Sequence, residues 1–528
     1  MRKLLCVIMV LLSCTLGWSA DWLTDGGNPQ RTGWQKDEHI LNKDNVQNLQ
    51  LLWKINLGNE PREMHSLLPT LVASNVPTPD GPREITITAG VSDNIYAVDA
   101  ATGELLWKQH FEHTPPNPPT TGGTLCPAGQ TATPLIGPAD AAGNRTLYAI
   151  DGHGDLRQLN LADGKEKAPP IPFSWPAGKP YALNLWNDLL MTTSAQGCGG
   201  NPNQFWAIDL NDPQHKVITF NPGSGGLWGR TGAAFTAEGV AYAPTGDGVY
   251  DPETHVFGNG LVGVKAENGK LVLKDYFIPR EWAWMRRRDL DMNVTPPVFN
   301  YKGRELMVMS SKECRLWLLD ANHPGGADHQ TPIYRTPLMC NQEVNFAAAG
   351  VWGSLATWED TDGTRWVLSP FWGPPHPDFE VPVRCGTVTH GAIVALKVAE
   401  VDGKLQLVPA WMSRDMDQAE PPVVANGVVY AYGSGENASQ ATPEKGLDAG
   451  APRRIPLSTH ATLYALDART GKELYSSGNQ ITSWNHWTGL SVANGRVYIN
   501  TFDSTLYAFG LPKAQETSRQ GPGPAGER

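Results

Sequence analysis

The chain has 528 residues, a formal net charge of −11, 18% charged and 40% hydrophobic residues. That balance supports a large core and excludes wholesale disorder, and an acidic chain without a basic run does not invite a nucleic-acid backbone. Its 55 Gly, 43 Pro and 19 Trp point to many turns and many flat side chains, the composition of an all-β protein of short strands.

Residues 1–20 read as an export signal. Met1-Arg2-Lys3 is a basic start, and Leu4 to Leu12 is an apolar run too short to span a bilayer. Small residues then place cleavage around Ser19 or Ala20. A second reading stands beside the first. Leu11-Leu12-Ser13-Cys14 has the form of a bacterial lipobox, which would put a lipid on Cys14 and give the chain its one link to a membrane. Both readings place the chain in the periplasm or outside the cell, where disulfides persist. Beyond the signal, Cys126, Cys198, Cys314, Cys340 and Cys385 remain, an odd number that leaves at least one thiol. None forms CxxC or CxxCH, so c-type haem attachment and zinc-finger spacing are excluded.

One pattern then recurs: aromatic or branched residue, small residue, aliphatic residue, Asp or Lys. It reads Tyr96-Ala97-Val98-Asp99, Tyr148-Ala149-Ile150-Asp151, Trp206-Ala207-Ile208-Asp209 and Val262-Gly263-Val264-Lys265. It continues as Trp317-Leu318-Leu319-Asp320, Val394-Ala395-Leu396-Lys397, Tyr464-Ala465-Leu466-Asp467 and Tyr507-Ala508-Phe509-Gly510, eight copies in all. Several copies run through a Thr-Gly turn into another strand, as at Thr102-Gly103 and Thr470-Gly471. Several short strands per unit, repeated eight times, predict an all-β, eight-bladed propeller of four-stranded antiparallel blades.

The last copy ends at Leu511-Pro512 without an outer strand, and Leu49-Gln50-Leu51-Leu52-Trp53 resembles the missing one. The N-terminal strand is therefore expected to complete the last blade and close the ring. The expected organisation is a signal at 1–20, the propeller at 21–512 and a polar tail without structure at 513–528. Steps of 77 and 70 residues between copies place insertions in the sixth and seventh units, at Trp372 to His390 and Glu436 to His460. Insertions of that length often serve as lids.

No GxSxG elbow, HExxH or phosphate-binding GxxxxGK[ST] occurs. His486 sits in an aromatic cluster, Trp484-Asn485-His486-Trp487, which reads as packing between blades. Arg286-Arg287-Arg288 reads as a solvated face.

The opening Asp21-Trp22-Leu23-Thr24-Asp25-Gly26-Gly27-Asn28-Pro29, with Asn45-Val46-Gln47-Asn48-Leu49 and Trp53, resembles the start of PQQ-dependent alcohol dehydrogenases, and the resemblance runs through the repeats. It implies PQQ and a calcium or lanthanide ion in the central channel. It also implies an alcohol or sugar substrate, an external electron acceptor, and an Asp that takes the substrate proton. Trp228 falls where the family stacks a Trp on PQQ, and Asp247 where it has a metal ligand. Asp289 falls at the catalytic Asp, and Lys312 at the cation beside the quinone oxygens. Departures stand against these matches. The family's metal-binding Glu falls near Gly200, a PQQ-holding Glu falls near Ser66, and its adjacent Cys pair is reduced to Cys126. Two functions follow: a PQQ-dependent oxidoreductase, or a binding or scaffold propeller of envelope assembly on the same fold.

The cysteines lie in loops of the types that should open on the channel mouth. The expected disulfides are Cys126–Cys198 and Cys314–Cys340, with Cys385 free. In an alternative pairing, Cys385 replaces Cys340.

Overall fold

Five of the eight repeats close their third strand on an Asp (Asp99, Asp151, Asp209, Asp320 and Asp467) that builds the next turn. Asp99 Oδ1 accepts the backbone N–H groups of Ala101 and Thr102 and the Thr102 hydroxyl, at 2.9, 3.0 and 3.1 Å. Asp467 does the same for Arg469 and Thr470. The glycine that follows, Gly103 or Gly471, has positive φ and lies flat under a Trp of the neighbouring blade. Trp53 covers Gly103 and donates its indole N–H to the Ala100 carbonyl at 3.0 Å; Trp411 covers Gly471 and donates to Ala468 at 3.1 Å. A Cβ on either glycine would meet the indole at 2.7 or 2.4 Å, so the turn glycine and the docking Trp require each other.

In a computed structural model these units form eight main sheets around one axis. It describes residues 19–115, 125–437, 441–442, 446–447 and 451–512. The expected export signal up to residue 18, Cys14 and the tail from residue 513 lie outside the described residues. Blade 1 comprises Leu71–Val76, Arg83–Gly90, Asn94–Asp99 and Leu105–His110, a plan the other blades repeat. The ring closes as expected: Gln50–Asn56 pairs antiparallel with Thr505–Gly510, Trp53 opposite Ala508. Among the described residues no helix is long and apolar enough to cross a membrane.

The opening segment does more than lead into the ring. Residues 22–35 run across the channel and touch the innermost strand of every blade. Trp22 bridges to Val72, and the Leu23 and Pro29 carbonyls accept from Ile136 and Phe235 at 2.9 Å. Asn184 also donates to Pro29 O. Gln30 O accepts from Val298, Thr32 O from Thr357, and Gly33 O from Val424, at 2.8–2.9 Å. Trp34–Gln35 adds a parallel strand to Val423–Ala425, and the Gln35 side chain reaches Val492 O. Arg31, 1% exposed, donates to Leu183 O at 2.9 Å and to Asp25 O within the plug. The plug closes one end of the channel and leaves the other as a cavity.

Candidate functional site

Strand direction alternates within a blade. The loops that enter innermost strands and the loops joining second to third strands therefore share one face. Trp228 and Asp289 come from loops of the first kind, and Asp247 and Lys312 from the second. All four line one cavity of about 430 Å³ at this face, with Asp291, Trp352, Trp372, Trp487, Tyr181, His486, Lys179 and Arg454 among its other walls.

The acidic side of the cavity is organised by Lys312. Its Nζ lies 3.0 Å from Asp289 Oδ1 and 2.8 Å from Asp291 Oδ2. It also stands 5.1 Å above the rings of both Trp228 and Trp352. Burial alone would depress this ammonium, but Asp291 and Asp289 outweigh it and raise its pKa. Asp291 is 4% exposed, and burial raises its carboxyl to about 7. The Asp289 side chain is 38% exposed and faces the cavity. Burial raises Asp247 as well, and the charge of Asp289 adds to the effect. Asp247 and Asp289 both hold positive φ, a region few residues other than glycine occupy.

The aromatic wall differs from a lone platform. Trp228 is 7% exposed and stacks on Trp487 at 5.4 Å, while Trp352 stacks on Trp372 at 4.9 Å. His486 and Trp487, read from sequence as packing between blades, line the cavity. Their neighbour Trp484 does pack, against Phe502 at 4.4 Å.

The opposite side is basic, and sequence reasoning missed it. Lys179, 5% exposed, donates to the Leu125 carbonyl at 2.8 Å and has no carboxylate partner among the described residues. Burial lowers its pKa to about 7. Arg454 enters from the insertion of the seventh unit, on the helix Ala451–Leu457. It pairs with buried Glu436, which also accepts from His486 Nδ1 at 2.8 Å. Below the Trp wall, Glu420 is fully enclosed, and burial raises its carboxyl to about 8. Arg230 beside it reaches down to Asp25 of the plug at 2.8 Å.

Both expected disulfides are present. Cys126–Cys198 and Cys314–Cys340 have Cα separations of 5.5 and 5.4 Å, and Cys385 is free. The first flanks Leu125, whose carbonyl holds Lys179. The second follows Lys312 by two residues.

Two cofactors can be tested against these residues. The metal does not fit. Among the described residues no group of three or more His, Cys, Asp or Glu side chains is arranged to hold an ion, Gly200 and Ser66 carry no carboxylate, and Lys312 already occupies the space between Asp289 and Asp291. PQQ, a flat ring system with three carboxyl groups, does fit the donor chemistry. Arg454 Nη1, Tyr181 OH and Trp487 Nε1 are buried at the cavity without an acceptor, and Lys179 has donor hydrogens to spare.

A family model described as outer membrane protein assembly factor BamB matches residues 47–322. No curated protein matches the chain in sequence. Solved structures of similar shape include quinohemoprotein alcohol dehydrogenase from Comamonas testosteroni: 13% identity, 96% of this chain and 83% of that one, TM-score 0.58. A europium-containing methanol dehydrogenase matches at 12% identity over 93% of this chain and 98% of its own, TM-score 0.58. A quinohemoprotein alcohol dehydrogenase from Pseudomonas putida matches at 12% identity over 96% and 82%, TM-score 0.57. At these identities the likeness is one of fold.

Proposed function

Because the chain belongs to the PQQ-like propeller family whose model is described as outer membrane protein assembly factor BamB, we propose that it is an exported quinoprotein-like oxidoreductase that oxidises an alcohol or sugar and hands the electrons to an external acceptor. The observation that carries this reading is the meeting of Asp289 and Lys312 with Trp228 and Asp247 in one cavity.

PQQ, when bound, supplies the two-electron acceptor. The chain's own residues do the rest. Asp289, the more exposed carboxylate of its pair, takes the proton of the substrate hydroxyl. Lys312 orients that carboxylate, and its charge stabilises negative charge developing beside it. Asp291, held on the far side of the same ammonium, fixes where the ammonium points. The four-Trp wall gives the cavity a flat apolar face beside these charges. Arg454, Tyr181, Trp487 and Lys179 offer the donors that would hold an acceptor-rich ring system.

The test is reconstitution with PQQ followed by reduction of an artificial dye with primary alcohols and aldoses. Dye reduction by the wild type and none by Asp289→Asn supports the reading. A second reading, a binding or scaffold propeller of the envelope, is favoured by the description of the matching family. Failure to reduce dye with any substrate, together with a stable complex with envelope proteins, would select it.

A further inference from the structure

The cavity has a second pole, away from Asp289 and Lys312, that the proton transfer does not use. Four donors converge there from distant parts of the chain. Lys179 and Tyr181 precede the innermost strand of blade 3, Trp487 precedes that of blade 8, and Arg454 comes from the seventh unit's insertion. Arg454 Nη1, Tyr181 OH and Trp487 Nε1 are buried and have no acceptor among the described residues. Lys179 Nζ spends one hydrogen on Leu125 O and lies 6.0 Å from the Tyr181 ring centroid. Unsatisfied buried donors are rare in folded proteins, and a buried cation without a counter-charge is rarer. The carboxylate of Glu436 at this pole is already shared between Arg454 and His486.

We infer that this pole is a carboxylate-binding subsite in which Lys179 and Arg454 clamp an acidic group of the ligand while Tyr181 and Trp487 donate to the same group or its neighbour. It rests on the quinoprotein reading only for the choice of PQQ as one probe. A carboxyl of PQQ and a carboxylate on the substrate, such as a sugar acid, are the two sources of this chemistry. The surroundings agree with it. Burial lowers Lys179 to about 7 in the free protein. The titratable and charged groups near it are His65, itself driven well down by burial and by Lys179, His486 and Arg454, together with the Arg454–Glu436–His486 cluster. An arriving carboxylate would restore the ammonium, so binding takes up a proton above pH 7.

The experiment titrates the full chain with PQQ and, separately, with D-gluconate, following tryptophan fluorescence. Wild type is compared with Lys179→Gln, Arg454→Gln and the charge-keeping Lys179→Arg. The inference expects Lys179→Gln and Arg454→Gln each to weaken the bound probe at least about tenfold, with Lys179→Arg within about threefold. Weakening confined to PQQ makes the cofactor the source of the carboxyl, and weakening confined to gluconate makes it the substrate. Gluconate binding that needs Lys179, in a protein that does not bind PQQ, keeps the subsite and removes the quinoprotein reading. Wild-type affinity for both probes in Lys179→Gln and Arg454→Gln overturns the inference, as does a wild type that binds neither. A check independent of the variants is calorimetry of the wild type at pH 8 in two buffers of different ionisation enthalpy. Proton uptake is expected, and its absence overturns the inference.

Discussion

The ammonium of Lys312 stands 2.8 Å from the carboxylate of Asp291, and both side chains are buried. Such a pair is held by mutual need. Removing the cation leaves a carboxylate enclosed without compensation, which costs about 3–5 kcal/mol. Lys312→Met should lose stability approaching that order in urea unfolding at pH 9, where Asp291 is ionised in the native protein, and little at pH 7. The loss should shrink further at pH 5, where Asp291, whose carboxyl burial already raises to about 7, takes a proton instead. The double variant Asp291→Asn/Lys312→Met should recover most of the loss; a double variant as unstable as the single would mean that the pair is not the cause.

Asp289 occupies the same ammonium from the open side, with more than a third of its side chain exposed. Asp289→Asn should therefore leave unfolding within about 1 kcal/mol of wild type. Turnover by the PQQ-loaded protein should fall by about a hundredfold or more. Parallel melting curves and dye-reduction rates check both halves, and a variant that keeps its turnover would remove Asp289 from the chemistry.

Glu420 gives a pH signature of its own. Its folded pKa is about 8, raised by burial from an ordinary value of 4.5. In the unfolded chain it ionises above 4.5, so the folded state pays a growing penalty from there up to about 8 and none below. Glu420→Gln should be more stable than wild type at pH 8, by about 2–4 kcal/mol, and equal to it near pH 4. Denaturant melts at the two pH values read the difference. A variant with no advantage at pH 8 would show that the carboxyl is charged and compensated.

Disulfide Cys126–Cys198 closes a loop of 72 residues and Cys314–Cys340 one of 26. Chain entropy makes the longer loop the costlier to lose, at about 4 kcal/mol against about 3. Cys126→Ser should also weaken ligand binding, because Leu125, whose carbonyl seats Lys179, would lose its covalent neighbour. Cys314→Ser should disturb the Lys312 side of the cavity instead. Melting temperatures with and without reductant, and probe titrations of each variant, check the order and the division.

The ring was legible because most blades write a similar local code. Asp99, Gly103 and Trp107 act within a few residues of one another, and such signals survive in a linear reading. Trp228, Asp247, Asp289 and Lys312 were found through resemblance, and the propeller brings them together. The basic pole was not found. Lys179 and Arg454 meet only after the ring has closed, 275 residues apart in sequence, and neither sits in a local pattern. One signal was there to read. Tyr181, Trp228, Trp352 and Trp487 each stand three to six residues before an innermost strand, a second repeat beside the third-strand code. The plug was hidden for a similar reason: Asp25 and Arg230 pair across 205 residues.

The backbone N–H of Ala20 donates to the Asn494 side chain across 474 positions, and the residues after it brace every blade. The part of the chain made first is thus fastened to the part made last. Blades emerging in order find the plug and the strand Gln50–Asn56 already made, but that strand has no partner until residue 510 arrives opposite Gln50. Long-range closure of this kind is slow, and it arrives as a single late event. Until that pairing forms, the array of blades keeps two open edges, and it becomes a rigid ring only when its far end has joined its beginning.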